Sequence, residues 1–150
     1  MIFKISLLLS FIILQASANE KVNIGGKEYF ISTDELTWTK AADACHAMQM
    51  KMYAIESDEE NTAVFDYLNT NGYDSIYLWT GGKELNDTAT TDGIWTWVDL
   101  DLTFGFTDWA STRPNPFARH FCVYLSTWSW SNYWLDGDCG APNKYICETY

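Results

Sequence analysis

The residues of this 150-residue chain best equipped for chemistry are four cysteines, two histidines, a scatter of aspartates and eight tryptophans. Cys45, Cys122, Cys139 and Cys147 contain no Cys-x-x-Cys pair, and His46 and His120 are badly spaced for a zinc centre. An even count in a chain that opens with an export leader reads as two disulfides. The sequence leaves three pairings open. Loop entropy favours closing long loops, by about 4–5 kcal/mol near 100 residues against about 3 near 15. The nested arrangement closes one loop of each kind. His120 and Asp136 could imitate an acid–base pair. No Gly-x-Ser-x-Gly elbow, His-Glu-x-x-His helix, nucleophile or oxyanion donor accompanies them, so catalysis is not expected. Asp92, Asp99, Asp101 and Asp108 fall in loop-like stretches, where aspartates solvate more often than they gather round an ion.

The aromatic chemistry concentrates in residues 127–134, Thr-Trp-Ser-Trp-Ser-Asn-Tyr-Trp. An indole face offers a large, flat apolar area on which an uncharged ligand can stack. Alternation predicts Trp128, Trp130 and Asn132 on one face of a strand, either the core side or an exposed aromatic patch. Trp79, Trp95, Trp97, Trp109 and Trp134 are expected in the core. Asn86-Asp87-Thr88 is an acceptor for N-glycosylation in a polar loop.

The elements that must position these groups are legible from pattern. Residues 1–18 carry one charge, Lys4, an apolar run and Ala16-Ser17-Ala18, the order of a cleaved secretory signal. The run is too short to span a bilayer. The mature chain is expected to start at Asn19, with residues 19–26 as an N-terminal segment and one domain over 27–150. Net charge is −11, and −12 once Lys4 leaves, a surface that repels nucleic acid and anionic lipid. With 17% aromatic residues, disorder is excluded. Residues 27–32 read as a strand after Gly25-Gly26. From Trp38 the apolar spacing through Ala41, Ala42, Cys45 and Met48 predicts a helix with Cys45 on its buried stripe. Ser57 and Glu60 form a capping box for a second helix that buries Ala63, Val64, Tyr67 and Leu68 and ends at Asn71-Gly72. Residues 77–80, 94–98 and 121–125 read as strands between long polar loops. The whole is α+β with its function on the loops.

Over residues 27–149 the chain resembles the C-type lectin domain, of the single-domain secreted kind found in insects. The carriers are Tyr29-Phe30-Ile31-Ser32, Ile55-Glu56-Ser57, Trp79-Thr80-Gly81-Gly82, Gly93-Ile94-Trp95-Thr96-Trp97, Phe106-Thr107-Asp108-Trp109, Pro114-Asn115, Trp134-Leu135-Asp136 and Tyr145-Ile146-Cys147-Glu148. The resemblance implies a fold of two helices, small antiparallel sheets and a long loop region, with disulfides Cys45–Cys147 and Cys122–Cys139. It also implies glycan binding through calcium, a hard cation that takes six to eight oxygens. Retention of Pro114-Asn115 leans toward mannose-type ligands.

The implied calcium site is altered here. Arg113 stands where the resemblance expects Glu, His120 replaces the Glu two residues before Cys122, and Leu135 replaces Asn. Asn115 and Asp136 are kept. Formal charge at the ion's position falls from −3 to about zero, so calcium is not expected to bind at ordinary extracellular concentrations. An Arg113–Asp136 fork is expected to pin the loop instead, and the Arg113–Pro114 bond has less reason to be cis without metal. Two functions follow: a secreted lectin-like protein recognising microbial or cellular glycans through Arg113, Asn115, His120, Trp128, Trp130 and Asp136, or a module that binds a protein partner without calcium or sugar.

Overall fold

The computed structural model describes residues 21–85, 93–115, 119–128 and 132–150. Strand β1 (Lys21–Ile24) turns through Gly25 and Gly26, both at positive φ that glycine alone adopts freely, into β2 (Lys27–Ile31). The first strand thus starts ahead of the expected domain boundary at residue 27 and pairs directly with β2. Helix α1 (Trp38–Ala47) buries Trp38, Ala41, Ala42 and Cys45, the stripe its spacing predicts. Helix α2 (Asp58–Thr70) follows β3 (Lys51–Met52). Ser57 accepts a hydrogen bond from the Glu60 N–H at 3.2 Å, while Glu60 receives the Glu56 N–H rather than that of Ser57.

The buried side of α2 differs from the expected one. Val64 and Leu68 are buried, but Asn61 and Phe65 complete the stripe, and Ala63 and Tyr67 are only partly covered. A buried amide is tolerable when both its ends are bonded. Asn61 accepts from Trp134 Nε1 at 2.9 Å and donates to Asp108 Oδ2 at 2.8 Å.

The remaining strands are β4 (Tyr77–Glu84), β5 (Trp95–Trp97), β6 (Leu102–Thr103), β7 (Cys122–Ser126), β8 (Tyr133–Gly137) and β9 (Lys144–Glu148). The main path runs β1-β2-β9-β4-β5-β6, with β3 on β9, β7 on β4 and β8 on β7. The sheets are not wholly antiparallel as expected: β4 and β9 pair in parallel through Leu78–Lys144 and Trp79–Tyr145. The long stretch of chain between Glu84 and Lys144 supplies the connection that a parallel pair needs.

Cys45–Cys147 staples α1 to β9, and Cys122–Cys139 ties the start of β7 to the turn beyond β8, as the resemblance implies. Trp79, Trp97 and Trp134 lie in the core, and Trp95 and Trp109 pack against its edge. Phe104 stacks on Trp97 at 4.1 Å between ring centres, flooring the long loop. Gly82 sits where β4 passes under that floor. A Cβ there would come within 2.8 Å of Val123 Cγ2 and 2.9 Å of Phe104. We expect Gly82→Ala to destabilise the fold by about 1–3 kcal/mol of overpacking. Urea unfolding reads this directly, and an unchanged midpoint would contradict the packing.

Candidate functional site

The β7–β8 hairpin carries the site. Its register places Val123 opposite Asp136 at one end and Ser126 opposite Tyr133 at the other. The long loop before β7 is laced to β8: Trp134 N donates to Asp108 O at 2.9 Å, and Ala110 N to Trp134 O at 3.0 Å. Arg113 N then bonds Ala110 O at 3.0 Å, closing a turn in which Thr112 has positive φ. The Arg113–Pro114 bond is cis, contrary to the weakened expectation for a site without metal.

These ties deliver Arg113 and Asn115 to Asp136, whose side chain is fully buried while that of Arg113 is 29% exposed. Arg113 Nη1 donates to Asp136 Oδ1 at 3.1 Å. Asn115 N donates to Oδ2, also at 3.1 Å. His120 Nδ1 lies 3.5 Å from Oδ2, outside good hydrogen-bond range, and is a buried atom without a hydrogen-bond partner. Both carboxylate oxygens are therefore occupied, one by a guanidinium and one by a main-chain N–H. Among the described residues, no group of three or more His, Cys, Asp or Glu side chains is arranged to hold a metal.

The other expected site residues are elsewhere. Trp128 is not on a strand face, because β7 ends at Ser126 and Thr127 is diverted. The Thr127 hydroxyl donates to Tyr73 O at 2.6 Å, and its N–H to Ile76 O at 3.2 Å, so the chain leaves the β8 register. The rungs at Val123 and Ser126 are about 10 Å apart along the strand. Trp128 therefore sits beyond the far end of the hairpin from Asp136, not beside it. Trp130 falls outside the described residues, as do Asn86 and Asp92. Asp99 and Asp108 are engaged separately: Asp99 accepts from Met52 N at 2.9 Å and contacts His46 Nε2 at 2.7 Å.

Sequence reasoning missed the charged cluster at the other end of the sheet. Glu148 is fully buried between Lys27 and Lys51, and Glu60 holds Lys27 and the Tyr29 hydroxyl. Burial pushes the Glu148 carboxyl above its ordinary value in spite of both ammonium groups. Burial and then the Glu60 carboxylate push the Tyr29 phenol far up. Neither side chain has a spacing signal, because its partners come from β2, β3 and α2.

Two helices, a mixed sheet, two nested disulfides and a long loop folded against a buried carboxylate define a lectin-type binding domain. A family model described as "Lectin C-type domain" matches residues 34–149, and the chain belongs to this family. It is 27% identical over 128 residues to "C-type lectin mosGCTL-7" of Aedes aegypti, covering 81% of this chain and 83% of that protein. It is also 27% identical over 128 residues to "Lectin subunit alpha" of Sarcophaga peregrina, covering 83% of this chain. The matched part is 45% of the Sarcophaga protein. Among solved structures, the mouse scavenger receptor C-type lectin carbohydrate-recognition domain superposes with a TM-score of 0.70 at 21% identity, covering 86% of this chain and 92% of that one. The family consists of non-enzymatic modules that generally bind carbohydrate and generally depend on calcium.

Proposed function

We propose that this chain is an exported glycan-binding protein whose family calcium pocket is closed by its own arginine, so that recognition proceeds without the metal. The observation that carries this reading is the Arg113 guanidinium at 3.1 Å from the buried Asp136 carboxylate, with the Asn115 N–H on the second oxygen. Calcium needs several charged oxygens turned toward one point. Here Asp136 is turned toward donors, Arg113 brings a positive charge into the same space, and Leu135 offers no oxygen. The residues present do not fit the ion. In place of the expected two-pronged fork, a single Arg113–Asp136 contact and the Asn115 N–H hold Arg113, Pro114 and Asn115 against β8 with charge-assisted hydrogen bonds.

The export leader read in residues 1–18 and the likeness to insect lectins support an extracellular setting, with microbial or cellular glycans as ligands. Binding of the mature protein to a glycan array, with and without chelator, tests the reading. Retention that chelator leaves intact is the expected outcome. Retention abolished by chelator would restore the family mechanism and overturn the closed pocket. Retention on no glycan would favour the module that binds a protein partner.

A further inference from the structure

At the far end of the β7–β8 hairpin from Asp136, the structure holds a second set of groups. A pocket of about 280 Å³ opens there, lined by Glu35, Ser75, Tyr77, Trp128, Asn143 and Lys144 among others. Three elements frame it. Tyr77 begins β4 opposite Ser126, Lys144 begins β9 opposite Leu78, and Asn143 exchanges both main-chain hydrogen bonds with Leu36 at 2.9 and 3.0 Å. Main-chain pairing therefore ties all three segments of the frame into the sheet and its flanking bridge.

Two features of the lining are unusual for this molecule. Trp128 is 48% exposed and Tyr77 39% exposed, whereas every other tryptophan among the described residues is buried or half-buried. The two rings lie 6.1 Å apart at 36°, and Tyr77 is propped from behind by Tyr124 at 4.9 Å. Aromatic side chains of this size contribute most when covered, so a supported pair left open toward a pocket is a platform without its load. The second feature is polar. Lys21, Lys27, Lys51 and Arg113 each hold a carboxylate, but neither Glu35 nor Lys144 makes an ion pair among the described residues. The pocket thus offers a carboxylate that accepts, an ammonium that donates and an amide that does both.

The charges select the ligand. An anionic sugar would face Glu35 and a cationic one Lys144, whereas the hydroxyls of a neutral ring satisfy both. The volume falls at the lower limit of small-molecule sites, room for one ring and not an oligosaccharide. We propose that this cleft is a metal-independent subsite for a single neutral pyranose unit of a glycan, its C–H face on Trp128 and its hydroxyls on Glu35, Asn143 and Lys144. The inference rests on the glycan-binding reading above and adds to it a location away from the family's calcium pocket.

The test uses the mature chain on immobilised neutral glycans (mannan, β-glucan, chitin oligosaccharides and galactosides), all in chelator. On the glycan that retains the wild type, Trp128→Ala should weaken binding about tenfold or more. Lys144→Met and Glu35→Gln, which keep the side-chain stems, should each weaken it roughly three- to tenfold. Tyr133→Ala, an exposed aromatic on β8 that does not line the cleft, should leave it unchanged. Circular dichroism and intact disulfides establish that each variant is folded. Retention that survives Trp128→Ala, or that falls equally in Tyr133→Ala, overturns the cleft while leaving glycan binding in place. Retention on none of the glycans overturns both.

Discussion

Millimolar calcium is expected to leave the melting temperature of the wild-type domain where chelator leaves it, and to raise that of a variant carrying Arg113→Glu, His120→Glu and Leu135→Asn. The wild type offers an ion one carboxylate, already bonded on both oxygens by Arg113 and Asn115. The triple variant removes the competing cation and brings three carboxylates and two side-chain amides to one place, the ligand chemistry that calcium takes. Without metal those carboxylates repel one another beside a buried Asp136, so the variant in chelator should be less stable than the wild type. A ligand at a hundred times its dissociation constant stabilises the native state by about 2.7 kcal/mol. For a domain of this size that is a rise of roughly 5–10 °C. Differential scanning fluorimetry in calcium and in chelator reads both arms. A wild type stabilised by calcium to the same degree would show that Arg113 does not close the pocket.

The parts of the fold that could be read in advance are those whose cause is local. The α1 stripe repeats every three or four residues, and Ser57 caps α2 from three residues away, so neighbours in sequence suffice to find them. The short strands are different. Lys51 and Met52 become β3 only because β9 lies beside them, and a two-residue segment has no periodicity of its own. The α2 stripe was misread at Asn61 because its burial depends on Trp134 and Asp108, both remote in sequence. At the site, no spacing rule joins Arg113 to Asp136; their meeting followed from carrying a family's positions onto this chain. Trp128 was misplaced for the opposite reason. Alternation predicts a strand through Trp128, but the Thr127 hydroxyl bonds Tyr73 O and β7 ends at Ser126, before Trp128 is reached. Tyr77, Lys144 and Glu35 carried no warning, since it is the β4–β7 and β4–β9 pairings and the Leu36–Asn143 bridge that bring them near Trp128.

The second large effect is expected at Glu148. Glu148→Ala should cost about 3–5 kcal/mol, because it strands Lys51, itself almost fully buried, without its counter-charge. Against the 5–15 kcal/mol that holds a typical domain, such a loss brings unfolding close. Glu148→Gln should cost much less. The amide keeps an acceptor for Lys51 and for the Ala54 N–H, which Glu148 receives at 3.1 Å, and it escapes the desolvation of a carboxylate. The pH dependence separates pairing from burial. Both groups of the Lys27–Glu148 contact are raised. Desolvation lowers Lys27, but the Glu148 and Glu60 carboxylates together outweigh it and carry the ammonium above 10.5. Burial of Glu148 outweighs Lys27 and Lys51 and carries its carboxyl above 4.5. Burial dominates at Glu148, since its side chain has no solvent exposure to offset the loss of hydration. A carboxyl with a raised native pKa binds its proton more tightly folded than unfolded. Its contribution to stability is therefore full below about pH 4.5 and is lost as pH rises through the native value. Urea unfolding of wild type and Glu148→Gln across that range should show the wild type losing stability relative to the variant as pH rises. Parallel pH profiles would mean that Lys27 and Lys51 fully offset the burial of the charge. A profile of opposite slope would mean that they more than offset it, and that the cluster stabilises the sheet by attraction.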